Sequence, residues 1–156
     1  MARARDDTAG VIFPPPLVYA GFFAAGFLAD RELKLVELAP EPRHALGALL
    51  VAAGFALGGL GVLAMRRAAT RISPYEPTTA LATRGVYRLT RNPLYLALTL
   101  VYAGAAIAAA APIALLLLVP ALMVMRWGVI AREERYLAAK FGQPYRDYCA
   151  RVRRWL

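Results

Sequence analysis

The chain has 156 residues, of which 60% are hydrophobic and only 19% are charged, and its formal net charge at pH 7 is +9. The length predicts one domain, residues 1–156, and the composition excludes an ordinary soluble protein and predicts an all-α integral membrane protein. The arginines lie between apolar segments, which excludes a nucleic-acid partner, and a single cysteine and a single histidine exclude a disulfide framework and a metal site of histidine and cysteine.

Four apolar segments have about the length that a transmembrane helix requires, which is roughly 20 residues for the bilayer core. Asp6 and Asp7 do not fit the basic start of a secretory signal, so the first segment is predicted to be a retained span. Pro112 separates the last two segments so closely that they must form an antiparallel hairpin. The four predicted transmembrane helices are residues 16–32, 45–65, 93–111 and 113–130.

Glycines in the second segment suggest close packing of helices. Gly54 and Gly58 form a small-xxx-small pattern, which allows the backbone of another helix to approach closely. Gly59 and Gly61 also match part of the dinucleotide fingerprint, but that motif works only at the turn between a strand and a helix. A packing role is therefore the interpretation of these glycines.

The distribution of positive charge predicts the orientation. Of the 19 lysines and arginines, all but Arg31, Lys34 and Arg43 fall on one side of the predicted spans. By the positive-inside rule, both termini and the connection 68–91 then face the cytoplasm. The expected location is the inner (plasma) membrane of a bacterium, with the active face in the cytoplasm and membrane lipids as partners.

The C-terminal residues predict two further helices at the inner membrane surface. Residues 132–141 form a polar helix that Gly142 ends, and Pro144 begins another. Beyond it, four apolar residues recur at helical spacing among arginines, which is typical of a basic amphipathic helix on an anionic leaflet. They are Tyr145, Tyr148, Val152 and Trp155.

A basic segment precedes the third apolar segment and is the strongest candidate for a ligand site. Asn92 is predicted to be the N-cap of the third helix and Pro93 its first residue. A helix N-terminus with unpaired N–H groups favours an anionic ligand. Arg84, Arg88 and Arg91 add positive charge beside it.

The helical hairpin places two acids near this segment. Because the end of the fourth span lies beside the start of the third, Glu133 and Glu134 are expected near Arg91, Asn92 and Tyr95. Such a cluster offers carboxylates for an ammonium or for ribose hydroxyls, guanidinium and N–H groups for a carboxylate, and aromatic faces for a sulfonium. S-adenosyl-L-methionine carries all these groups. Alternatively, the two glutamates simply pair with nearby arginines.

Three motifs occur in order around this hairpin. They are Gly85-x-Tyr87-Arg88-x-x-Arg91-Asn92-Pro93-x-Tyr95, then Glu133-Glu134-x-x-Leu137, then Phe141-Gly142-x-x-Tyr145-x-x-Tyr148. Over about residues 74–156 the chain resembles the isoprenylcysteine carboxyl methyltransferase family and its phospholipid methyltransferase relatives. It differs at Asn92, where that family has histidine, and at Ala97, where it has glycine. These differences argue against isoprenylcysteine as the substrate.

The resemblance implies a membrane enzyme that binds S-adenosyl-L-methionine in a cytoplasmic pocket made by the C-terminal half, about residues 74–156. The cofactor-binding residues that it implies are Tyr87, Arg91, Asn92, Pro93, Tyr95, Glu133 and Glu134.

The predicted function is methyl transfer to a lipid-like or small lipophilic acceptor at the membrane face. A carboxylate or thiolate acceptor needs little proton chemistry, whereas an amine or phenol also needs a base. Glu134 is the candidate catalytic residue, with Glu133 and Glu76 as alternatives. Two other functions stay open: an NADPH-dependent sterol-type reductase and a non-enzymatic small membrane scaffold.

Overall fold

The structure, a computed structural model, describes residues 8–33 and 40–156, and all regular elements in these ranges are helical. The prediction of an all-α protein is confirmed for this part of the chain. Arg3, Arg5 and Lys34, which were used to predict the orientation, lie outside the described residues. The helices are α1 (Pro15–Leu33), α2 (Pro40–Arg67), α3 (Pro93–Ala108), α4 (Pro112–Val124), α5 (Ala131–Phe141) and α6 (Gln143–Arg151).

Among the residues that the structure describes, two helices are long and apolar enough to cross a membrane, namely Pro42–Arg67 within α2 and the continuous helix Pro112–Phe141. Helix α3 has 16 residues and so spans about 24 Å, less than a bilayer core of about 30 Å. Helix α1 contains Asp30, Arg31 and Glu32 near its end, which shortens its apolar part. Four spans with both termini cytoplasmic therefore stay a prediction.

The last predicted span and the polar helix after it form one continuous helix. Helix α4 passes through a π-helical turn, Met125–Ile130, directly into α5. π-helical turns are rare and often lie at functional sites. The sequence predicted the apolar and polar parts correctly but not that they share one axis.

Helix α3 packs against α2 on one side and against α1 and α4 on another. The main apolar core forms where α1, α3 and α4 meet, around Tyr19, Tyr102 and Met125. On the outside, Phe55 of α2 and Leu116 of α4 are 70% and 68% exposed. Large exposed apolar side chains on such helices are the surface that a lipid bilayer would cover.

The predicted small-xxx-small pattern packs against another helix of the same chain. A Cβ atom on Gly54 would lie 2.8 Å from the carbonyl oxygen of Ala97 on α3, and one on Gly58 would lie 3.4 Å from the Ala97 Cβ. The packing role of both glycines is confirmed. Since α3 occupies this surface, the pattern gives no support to the scaffold interpretation.

Asp30 links the end of α1 to the start of α4. Its two carboxylate oxygens accept hydrogen bonds from the backbone N–H groups of Ile113 and Ala114, each at 3.0 Å. These amides belong to the first turn of α4 and have no partner within their own helix. A negative charge also interacts favourably with the positive end of the helix dipole. Asp30 therefore acts as an N-terminal cap supplied by a different helix.

We expect Asp30→Ala to lower the free energy of unfolding by about 1–2 kcal/mol, the usual cost of losing an N-terminal cap. Glu32→Ala, which removes an exposed acid from the same turn of α1, should change it by less than about 0.5 kcal/mol. Thermal unfolding of both variants in detergent measures the difference. Equal midpoints for the two variants would contradict the capping role.

The apolar face of the C-terminal helix packs against the protein itself. Tyr145 and Tyr148 of α6 are only 5% and 6% exposed and contact Leu137 and Phe141 of α5. The helix ends at Arg151, and the next residues are extended. This face therefore packs on the apolar residues of α5 and not on a lipid leaflet as the sequence predicted. The position of the helix at the inner membrane surface stays a prediction.

Candidate active site

A cavity lies where α3 begins and α5 follows the π-helical turn. All the residues that the sequence predicted to bind the cofactor line it together, although they come from three separate parts of the chain. Their role in binding stays a prediction. They are Tyr87, Arg91, Asn92, Pro93, Tyr95, Glu133 and Glu134.

Gly85 starts a short 3₁₀ turn that directs Tyr87 inward. Gly85 has a φ of +62°, a conformation that glycine adopts without steric cost. Tyr87 is 9% exposed, and its carbonyl oxygen accepts a hydrogen bond of 2.7 Å from the Tyr148 hydroxyl. Burial raises the pKa of Tyr148 to about 12, against an opposing effect of the Arg91 charge. Tyr148 therefore stays protonated and donates at physiological pH.

Asn92 stands at the N-cap position of α3, and Pro93 is its first residue, as predicted. The Asn92 side chain, however, does not cap the helix, so that part of the prediction was wrong. Its Nδ2 instead donates to the carbonyl oxygen of Arg154 at 2.9 Å. No side chain in the described part of the chain caps the first-turn amides of α3, which lie beside the cavity and can bind an anionic group there.

The extended residues after α6 hold the start of α3 in place. The Arg91 backbone N–H donates to the carbonyl oxygen of Arg153 at 3.0 Å. The Thr90 hydroxyl donates to the carbonyl oxygen of Arg154 at 3.1 Å. No sequence pattern predicted these contacts, because nothing distinguishes Arg153 and Arg154 from the other C-terminal arginines.

Glu134 pairs with two arginines at one edge of the cavity. Its carboxylate lies 3.2 Å from Nη1 of Arg91 and accepts two hydrogen bonds from Arg154, at 2.5 and 3.0 Å. The alternative interpretation, in which a glutamate pairs with arginines, is thus confirmed for Glu134. The buried Nε of Arg91 has no hydrogen-bond partner among residues 8–33 and 40–156. A ligand that reached this N–H would therefore have no hydrogen bond with the described residues to displace.

Glu133 lies beside Glu134 but has a different partner. It accepts a hydrogen bond of 2.5 Å from the Tyr95 hydroxyl. The backbone of Tyr95 is held in turn, because its carbonyl oxygen accepts hydrogen bonds from Tyr19 of α1 at 3.3 Å and from Thr99 at 2.8 Å. Glu133 forms no ion pair with the described residues, so its carboxylate is free of a competing cation.

Residues 42–144 of the chain match the phospholipid methyltransferase family. The chain belongs to this family. An uncharacterized protein of Haemophilus influenzae is 54% identical to it over 35 residues, which are 22% of this chain and 56% of that protein. The chain thus spans about half the length of this relative. No solved structure matches the chain significantly.

The chain is thus related to phospholipid methyltransferases, and its two long apolar helices among the described residues fit association with a membrane. The matched residues include α2, the 3₁₀ turn, α3 and both acids of α5. Helix α1, with Tyr19, and the extended residues that contain Arg154 lie outside the match. These outer parts donate or accept hydrogen bonds that hold residues within the match, such as Tyr95 and Glu134.

Residues 70–82 form one wall of the cavity in this family member. Thr78 N–H donates to the Tyr136 hydroxyl at 3.1 Å, and the Thr79 hydroxyl donates to the carbonyl oxygen of Ala69 at 2.7 Å. Glu76, the third candidate base, is exposed, pairs with Arg71 at 3.8 Å and is not among the residues that line the cavity. The structure therefore gives no support to Glu76 as a base.

Proposed function

We propose that the protein is an S-adenosyl-L-methionine-dependent methyltransferase that methylates a lipid-like or small lipophilic acceptor at the cytoplasmic face of the bacterial inner membrane. The main support is one observation: Arg91 and Glu133 line the same cavity at the ends of two apolar helices. Within residues 8–33 and 40–156, Nε of Arg91 has no hydrogen-bond partner and Glu133 has no ion pair. Family membership adds the reaction type.

The groups around the cavity fit the parts of this cofactor. Arg91 and the uncapped first-turn amides of α3 suit its carboxylate, because anions bind at helix N-termini and to guanidinium groups. Glu133 suits its ammonium or ribose hydroxyls. The rings of Tyr87 and Tyr95 suit a cationic sulfur. When bound, S-adenosyl-L-methionine would supply an electrophilic methyl group.

The residues of the chain contribute mainly by positioning. Glu134 and Arg154 fix Arg91, and Tyr95 fixes Glu133, so a ligand would meet groups that are already oriented. The buried rings around Tyr87 exclude water from the reacting atoms. For an amine or phenol acceptor, Glu133 is the better proton acceptor, because the oxygens of Glu134 already accept hydrogen bonds from Arg154.

Ligand binding separates the candidate functions. We expect purified full-length protein in detergent to bind S-adenosylhomocysteine, the product of methyl transfer, in calorimetry and to give no heat with NADPH. The sterol-type reductase predicts the opposite result, and a scaffold predicts binding of neither ligand. Binding of NADPH alone, or of neither ligand, would refute the proposal.

We expect Tyr95→Phe to weaken S-adenosylhomocysteine binding about tenfold, because Glu133 loses a hydrogen bond that orients its charge. Tyr102→Phe is the matched control. Its hydroxyl donates to the carbonyl oxygen of Ala114, and Tyr102 lies two turns further along α3. It should lower stability without changing affinity. Equal affinity of Tyr95→Phe and wild type would remove Tyr95 from the site.

We also expect a bound ligand to protect residues 70–82 from amide hydrogen exchange. The space inside the cavity is about 130 Å³, less than the roughly 300–1,000 Å³ of typical ligand pockets. This wall must therefore move outward to admit the cofactor, and it would be ordered by contact with it. Mass spectrometry with and without S-adenosylhomocysteine measures the change. Protection confined to α1 would place the ligand elsewhere.

A further inference from the structure

A second concave surface lies outside the candidate active site. The last turns of α2 and the 3₁₀ turn enclose a groove of about 1,020 Å³, which we call the α2 groove. Its apolar lining includes Leu60, Leu63 and Leu89, which are 52%, 41% and 67% exposed. Side chains this apolar favour an apolar ligand over water.

Three arginines line the same groove. Arg67 is in the last turn of α2. Arg84 precedes the 3₁₀ turn and Arg88 is its last residue. All three side chains are exposed, and none forms an ion pair or side-chain hydrogen bond with the residues that the structure describes. This contrasts with Arg91 and Arg154, which share Glu134. The groove thus presents uncompensated positive charge beside apolar surface.

The position of the groove suggests how a ligand would lie. The candidate span Pro42–Arg67 ends at the groove. The apolar part of the groove therefore lies along the span, and the basic part of the groove lies at the end of the span. The carbonyl end of α2 carries the negative pole of the helix dipole, so attraction of an anion depends on the arginines. Leu60 and Leu63 belong to this span and are exposed, as expected for a site that opens to a bilayer.

We propose that the α2 groove binds one anionic phospholipid. Its acyl chain contacts Leu60 and Leu63, and its phosphate lies between Arg67, Arg84 and Arg88. Guanidinium groups bind phosphate oxygens strongly, and basic pockets at the ends of membrane helices attract anionic lipids. Leu81 lines both the groove and the active-site cavity, so this lipid would lie next to the candidate active site.

Native mass spectrometry of the full-length protein tests the proposal, with phosphatidylglycerol as anionic and phosphatidylcholine as zwitterionic probe. We expect wild type to retain phosphatidylglycerol preferentially. Arg84→Gln with Arg88→Gln should weaken its binding roughly 30-fold, about fivefold for each arginine. Arg146→Gln with Arg151→Gln removes the same charge from the exposed side of α6 and should leave binding within about twofold.

A second pair of variants tests the apolar part. Leu60→Ala with Leu63→Ala should reduce retention, whereas Leu46→Ala with Leu49→Ala, at exposed positions earlier in α2, should not. S-adenosylhomocysteine binding reports that every variant is folded. Equal losses in the groove and control pairs, or equal retention of the two lipids, would overturn the proposal. Unchanged retention in the groove variants would also overturn it and would favour a polypeptide occupant.

Discussion

Glu134→Ala should lower the affinity for S-adenosylhomocysteine by about 100-fold and the free energy of unfolding by about 2–4 kcal/mol. The side chains of Glu134, Arg91 and Arg154 are 18%, 16% and 31% exposed, so the substitution leaves two half-buried cations without an acid. Arg91 then loses one of the contacts that orient its guanidinium, the other being its hydrogen bond to Cys149. A charge-assisted hydrogen bond to the ligand would weaken as a result. Calorimetry and thermal unfolding measure the two effects.

Glu76→Ala is the matched control for this prediction. It also removes a glutamate that pairs with an arginine, but both side chains are more than half exposed. Because solvent screens such pairs, the free energy of unfolding should change by less than about 1 kcal/mol. The affinity for S-adenosylhomocysteine should not change. If Glu134→Ala retained wild-type affinity, the proposed role of Arg91 in binding would be wrong, even if the variant were less stable.

Gly54→Val should prevent correct packing of α2 on α3, at a cost of about 3 kcal/mol or more. A Cβ atom at Gly54 would lie 2.7 Å from Val101 Cγ2 and 2.8 Å from the Ala97 carbonyl oxygen. The carbonyl cannot move without displacing α3, so the two helices must separate. Between apolar helices in lipid, close packing contributes much of the association energy. We expect low yield, aggregation on size-exclusion chromatography and loss of ligand binding.

Gly59→Val tests whether the position or the residue type causes this effect. Gly59 is also in the middle of α2, but a Cβ atom there would meet nothing within 4 Å. The variant should be monodisperse, with a midpoint within a few degrees of wild type. Equal behaviour of both variants would contradict the packing described for α2 and α3.

Local sequence signals predicted the helices well because each signal acts on its neighbours. Pro93 and Pro112 begin helices, and Gly142, with a φ of +60°, ends one. Contacts between distant residues gave no such signal. The cap that Asp30 supplies to α4 joins residues more than 80 positions apart, and no pattern near Asp30 distinguishes it from an ordinary acid at a helix end.

The candidate site was predicted only in part, because it combines local signals with contacts between distant residues. The hairpin of α3 and α4 was readable from Pro112, and it was sufficient to bring Glu133 to Tyr95. Which acid pairs with which group depends on packing, so the sequence could not distinguish Glu133, bound to Tyr95, from Glu134, bound to Arg154. The burial of Tyr145 was also missed, since an amphipathic helix looks the same whether protein or lipid covers its apolar face.

The π-helical turn Met125–Ile130 determines the direction in which the side chains of α5 point. In an α-helix each residue advances the side-chain direction by about 100°. A single-residue deletion or insertion between Pro112 and Glu133 would therefore swing both acids to another face of the helix, away from Tyr95. The number of residues in this stretch should therefore be constant. Its individual apolar side chains can be replaced by other apolar side chains more easily.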